Sequence, residues 1–198
     1  MPPAEEIQRY FSGVWRLMMG KPDGLRMLDL TVDGFWNSFF AIVVALPALV
    51  VGWVAVANDA SLYDPGFAGR LALVIRFAIV DLGAWVLPIA LLAVVAKPAG
   101  IADRFVHYVV ATNWASALTL WIMLPPALIR LFWPGATELV TLLSLVLFLL
   151  TLVLLWRLTN IAIGKGPAVA TAVFCGMFVA SLVALFALQT LFGLSAQQ

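Results

Sequence analysis

The chain has 198 residues, 64% of them apolar and only 11% charged, with a mean hydropathy of +1.08 and a formal charge of +1. Soluble proteins run at about 45–50% apolar and 25% charged residues, so a water-soluble domain is excluded. A charge this close to zero gives nucleic acid no footing, and the single cysteine, Cys175, permits neither an intrachain disulfide nor a thiolate metal cluster.

In hydrocarbon every backbone N–H and C=O must find its partner within the protein, which leaves helices or a closed barrel. Barrel strands alternate polar and apolar residues over about ten positions, whereas stretches such as Leu139 to Trp156 are apolar almost throughout. The expected fold is all-α. It is a polytopic membrane helical bundle with five transmembrane helices and an N-terminal interfacial amphipathic helix, divided into a cytoplasmic segment, 1–34, and a transmembrane domain, 35–198.

The N-terminal residues Met1 to Glu6 lack the basic segment, apolar core and cleavage site of a secretory signal, so no processing is expected. Residues 5–18 read as an amphipathic helix. Ile7, Tyr10, Phe11, Val14 and Met18 repeat at helical spacing, and Glu5, Arg9, Ser12 and Arg16 form the opposite stripe. Trp15 and the arginines suit a headgroup level, and the apolar stripe can lie either in lipid or on the protein's own cytoplasmic loops. Gly20 to Gly24, with Pro22 between the glycines, ends this helix in a turn, and a polar connector runs from Leu25 to Gly34.

Five apolar spans follow: Phe35 to Ala57, Leu71 to Ala96, Phe105 to Leu131, Leu139 to Trp156 and Ala168 to Phe192. The first loop holds Asn58, Asp59, Asp64, Pro65 and Gly66. Lys97 to Gly100 closes span two, Trp133-Pro134-Gly135 follows span three, and the loop Asn160 to Pro167 separates the last two spans. Pro125 and Pro126 are expected to kink the far end of span three, and Pro47, Gly83 and Pro88 can kink spans one and two. A short uncharged tail ends the chain.

Lys and Arg accumulate in cytoplasmic loops. Arg9, Arg16, Lys21, Arg26, Lys97, Arg104, Arg157 and Lys165 fall on one side and only Arg70 and Arg130 on the other, with Arg76 inside span two. This predicts a cytoplasmic N-terminus and an outside C-terminus.

Two spans carry stripes of small residues that let another helix approach closely: Ala41, Ala45, Ala48, Gly52 and Ala55 in span one, Ala168, Ala172, Gly176, Ala180 and Ala184 in span five. Either stripe can pack inside the monomer or form a seam between copies. Span four is apolar almost all round and reads as lipid-facing, with Thr141, Ser144 and Thr151 able to bond their own backbone.

Asp81 is the group with most chemical potential, because an ionisable side chain mid-span is costly and faces the protein interior, a partner or water. With Asn113, Ser116 and Thr119 of span three, and Arg76 on its own helix, it forms the candidate intramembrane polar site. Arg76 lies about 140° round the helix from Asp81, poor geometry for a pair. The alternative role for Asp81 is a hydrogen-bonded residue that fixes helix register. His107 and Tyr108 sit near the start of span three; a lone His is read as packed or solvated. No metal-ligand cluster, carboxylate pair, phosphate loop or nucleophile motif stands in the sequence, so no catalytic residue, metal or cofactor is expected.

Asp29, Leu30, Asp33, Gly34, Phe35 and Trp36, at the mouth of span one, form the segment Asp29-Leu30-Thr31-Val32-Asp33-Gly34-Phe35-Trp36. It resembles the Asp-Leu-x-Gly-Pro-x-Trp motif of the Yip family, the Ypt/Rab-interacting membrane proteins, with one added residue before Gly34 and no proline. The resemblance implies five spans, a cytoplasmic N-terminus and a non-cytoplasmic C-terminus. The long Pro/Gly-rich arm of eukaryotic members is absent, so the resemblance implies the compact bacterial branch and residence in a bacterial cytoplasmic (inner) membrane. Physically, Asp29 or Asp33 can accept the free N–H groups of the helix start, and Phe35 and Trp36 can anchor at the interface.

The sequence thus leads to a non-enzymatic membrane scaffold or interaction protein that resembles the Yip family and engages membrane lipid, other membrane proteins or a second copy of itself. The alternatives are a small transporter or channel built round Asp81 and Asn113, and an accessory subunit of a larger membrane complex.

Overall fold

The amphipathic segment forms α1 (Ala4–Met18), with Glu5 and Glu6 in its first turn and Arg16 in its last, each charge complementing the helix dipole. In this computed structural model, which describes residues 2–60 and 66–194, the apolar stripe of α1 is covered by protein: Val14, Leu17 and Met18 are fully buried. Gly20, at φ 81°, turns the chain into a 3-10 segment, Pro22–Met27, that folds back under α1. There Gly24 meets the Gly13 carbonyl so closely that a Cβ would collide with it and come within 2.9 Å of Leu17. Arg16 pairs with Asp23 and holds its carboxyl below the usual range.

After α1 come five stretches long and apolar enough to cross a membrane: Val32–Asn58, Phe67–Val95, Ala102–Phe132, Thr137–Ile163 and Pro167–Leu191. The first consists of a short helix, α2 (Val32–Asn37), and α3 (Phe40–Ala60); the second is α4 (Phe67–Val95). The third is α5 (Phe105–Ile122) followed by α6 (Leu124–Phe132), and the last two are α7 (Thr137–Ile163) and α8 (Pro167–Leu191). Every element among the described residues is helical.

The long helices close a ring. α3 packs on α4 and α5, α4 on α8, α8 on α7, and α7 on α5, while α6 leans on α3 and α7. Across the ring α4 and α5 scarcely touch. Four indole N–H groups stitch the helices together: Trp53 (α3) to Asp81 (α4) at 2.7 Å, Trp85 (α4) to Asn113 (α5) at 3.0 Å, Trp121 (α5) to the Val44 carbonyl (α3) at 3.1 Å, and Trp156 (α7) to Thr171 (α8) at 3.0 Å. An indole N–H buried in apolar surroundings needs an acceptor, so each pair fixes the depth of two helices against each other.

At one end of the ring the basic side chains gather. Arg157 donates to the Met19 carbonyl at 3.0 Å, and Lys165 pairs with Asp103 at 2.6 Å and bonds the Gly100 carbonyl at 2.6 Å. α1 caps this end, with Tyr10 and Phe11 packed on Trp114, ring centroids 4.9 and 6.1 Å away.

Several elements differ from the sequence reading, for identifiable reasons. Span four does not stop at Trp156: α7 runs on to Ile163 because Leu158, Thr159, Ala162 and Ile163 are buried at the end that α1 caps. Only its other half faces outward, through Leu142, Leu145, Val146, Leu149 and Val153. Of Thr141, Ser144 and Thr151, Thr151 bonds its own backbone, at Phe148 O. Pro125 and Pro126 do more than kink span three; they open a separate helix, since proline suits a first turn but not an interior. Span one is interrupted at Ser38 and Phe39, and Gly83 is the point where the Leu188 side chain of α8 presses onto α4. Asp64 and Pro65 of the first loop, and the tail from 195 onward, lie outside the described residues.

The two small-residue stripes have opposite fates. Ala41, Ala45, Ala48 and Ala55 of α3 are buried inside the monomer, while Gly52 of the same stripe is half-buried with open space beside it. On α8, Ala168, Ala172 and Gly176 are exposed, and Ala172, Gly176 and Ala180 line an open apolar groove of about 330 Å³ against Leu91, Leu92 and Val95 of α4.

Candidate functional site

Asp81 stands at the midpoint of α4, and Trp85, one turn on, shares its face. The Trp53 N–H donates to Asp81 Oδ2 from α3, and the Trp85 N–H donates to Asn113 Oδ1 on α5. Asn113 in turn donates to Ser38 Oγ at 2.9 Å, and Ser38 donates to the Phe35 carbonyl at 2.7 Å. Asn113 is therefore a fully buried tie between three chain segments, its carbonyl and amide both engaged. Asp81 differs: among the described residues Trp53 is its one hydrogen-bond donor, and no Lys, Arg or His pairs with it.

Among the ring helices lies an open cavity of about 500 Å³, with lining side chains from α3, α4, α5, α7 and α8. Asp81, Asn113, Ser116 and Thr119, four of the five groups singled out from the sequence, all line this one space, joined by Trp85, Tyr108, Thr151, Thr159 and Ser181. Most of the wall is apolar: Leu49, Ile89, Leu120, Leu152, Phe148, Phe174, Met177 and Phe178 contribute to it. Thr112, Thr151 and Thr159 bond their own helix backbones at 2.8 Å and offer the cavity little. Among the described residues Ser116 and Ser181 make no hydrogen bond, and Thr119 Oγ1 is buried without a partner there. A mid-span carboxylate, two or three available hydroxyls and aromatic walls make a compartment able to bind a small molecule, within the about 300–1,000 Å³ usual for such sites.

Arg76 is not part of it. The side chain lies on the exposed surface of α4, outside the cavity lining, as the angular offset from Asp81 requires. His107 is half-buried, its Nδ1 enclosed without a partner, away from the cavity lining.

No protein-family model, curated protein or solved structure matches the chain.

The mouth segment has a local physical account. Thr31 is the N-cap of α2, accepting from Gly34 N at 3.1 Å, and Asp29 Oδ1 supports it by accepting from Thr31 N at 3.1 Å and Thr31 Oγ1 at 2.7 Å. The capping oxygen is thus supplied by Thr31 rather than by Asp29 or Asp33 directly. Gly34 lies against the Asp29 backbone, with no room for a Cβ. Phe35 packs with Trp36, Phe39 and Phe105, while Leu30 is half-buried against the core and Asp33 and Trp36 are turned outward. Through Ser38 this segment connects to Asn113, a link between residues 75 apart that no local pattern announces.

Sequence reasoning missed Trp53, Trp85, Ser38 and Ser181. A signal existed for one of them: Asp81 and Trp85 are four apart, so any cavity reached by one is reached by the other.

Proposed function

We propose that this integral membrane protein binds a small molecule inside its helix ring and acts as a compact carrier or channel. The observation that carries the reading is the mid-depth cavity in which Asp81, Ser116, Thr119 and Ser181 converge on one apolar space. A packed register-fixing residue would have its polar atoms satisfied by protein, as Asn113 has; among the described residues Asp81 has a single donor. The test uses the Cys175→Ser background with Ser116→Cys or Ser181→Cys, reconstituted in liposomes and exposed to small methanethiosulfonate reagents. Modification of both new thiols, slowed by a bulky substitution such as Ala84→Phe, is the expected result. Thiols inert to charged and neutral reagents from both sides would end the proposal.

In this reading the end bearing Arg157, Lys165 and α1 faces the cytoplasm of a bacterial cell, following the basic residues. α1 then sits at headgroup level with Trp15 turned outward. Reporter fusions at either terminus check this, and cytoplasmic activity of the C-terminal fusion would reverse it.

A second reading, a membrane scaffold akin to the Yip family, has its own support in the exposed small-residue face of α8. Cys175 is exposed beside Gly176 on that face. Oxidative cross-linking of native membranes through Cys175 is expected to yield a dimer if α8 meets α8; an unreactive Cys175 counts against self-association there.

A further inference from the structure

We infer, building on the cavity reading above, that the cavity selects a monovalent organic cation with an apolar body, and that Asp81 is its counter-ion.

Charge provides the first argument. Among the described residues Asp81 is the one carboxyl in the lining, and no Lys, Arg or His lines the cavity with it. An anionic solute would meet a carboxylate and no cation, in surroundings where charge interactions are several-fold stronger than in water. A neutral polyol would need a donor and an acceptor for each hydroxyl, and the wall offers mainly carbon. A bare Ca²⁺ or Mg²⁺ ion needs about six or more oxygen ligands, and one carboxylate with scattered hydroxyls cannot supply them. A cation that carries its own apolar surface has neither problem.

The walls provide the second. Phe174 and Phe178, one turn apart on α8, present nearly parallel rings, 11° between planes and 6.5 Å between centroids. Both line the cavity, as do Trp85, Phe148 and Tyr108 from the other helices. Aromatic faces attract a cation through their quadrupole while also burying its carbon, and this combination recognises substituted ammonium groups. Trp53 orients the carboxylate from α3 by holding Oδ2 at 2.7 Å.

The experiment measures binding of radiolabelled tetraphenylphosphonium, and of neutral triphenylphosphine oxide, to the purified full chain in detergent. Wild type is expected to bind the phosphonium in preference to the oxide. Asp81→Asn should weaken phosphonium binding about tenfold or more, the equivalent of a lost charge pair, and leave oxide binding unchanged. Phe178→Leu, which spares the carboxylate, should weaken phosphonium binding about threefold or more and the oxide less. Thermal unfolding of each variant checks that the ring is intact, and Asp81→Glu should restore part of the affinity. If Asp81→Asn folds and binds phosphonium as wild type does, cation selection is wrong while the cavity reading stands. If neither compound binds and the thiols at Ser116→Cys and Ser181→Cys stay inert, both are wrong.

Discussion

Two stripes of small residues, written in the same language, have opposite fates. In α3 the row of alanines disappears into the monomer, with Ala41 and Ala45 fully buried among the core residues. In α8 Ala168, Ala172 and Gly176 lie exposed, and Ala172, Gly176 and Ala180 border a groove against α4. A small-residue row therefore states that a close approach is possible, without naming what approaches. The polar residues repeat the lesson. Asn113 and Asp81 each accept an indole N–H, yet Asn113 is closed into a three-way tie and Asp81 remains open to the cavity.

The strongest way to break the first contrast is Ala45→Phe against Ala172→Phe. The buried site should lose about 1–3 kcal/mol by overpacking, read as a lower unfolding temperature in detergent, while Ala172→Phe leaves that temperature unchanged. Equal losses at both would mean the α8 groove is filled in the folded monomer. The second contrast is sharpened by Asn113→Leu, which leaves the Trp85 N–H without an acceptor and takes from Ser38 Oγ its donor, and should cost about 1–2 kcal/mol. Asp81→Asn retains an oxygen for Trp53 and should cost less than about 1 kcal/mol in the same assay; the reverse order would make Asp81 the structural residue of the two.

The smallest effect is expected at the surface. Arg16 lowers the Asp23 carboxyl below its unfolded value, so this pair contributes stability above about pH 4 and loses it as the pH falls through the folded value. Asp23→Asn should change the unfolding temperature slightly at pH 7 and not at all in strong acid. A large loss at neutral pH would show that the 3-10 segment depends on this exposed pair for its docking under α1.

Much of this was legible along the chain because it depends on composition and on neighbours a few residues away. The five spans follow from hydrocarbon demanding satisfied backbones and the helical course of α1 from its periodicity, while the two adjacent prolines announced a kink in span three rather than the separate helix α6. Asp81, Asn113, Ser116 and Thr119 stood out because polar groups in apolar helices are rare, and all four face one cavity.

What the sequence by itself determined is the solvent of this protein and the location of its few polar groups along each helix. Only the tertiary structure decided their company: that Trp53 and Asp81 meet, that Ser38 reaches Asn113, that Arg76 turns away, and that α7 continues to Ile163 beneath α1. The reason is that helix neighbours in a ring are chosen by packing between segments far apart in the chain, and periodicity fixes which face a residue occupies without fixing what that face meets.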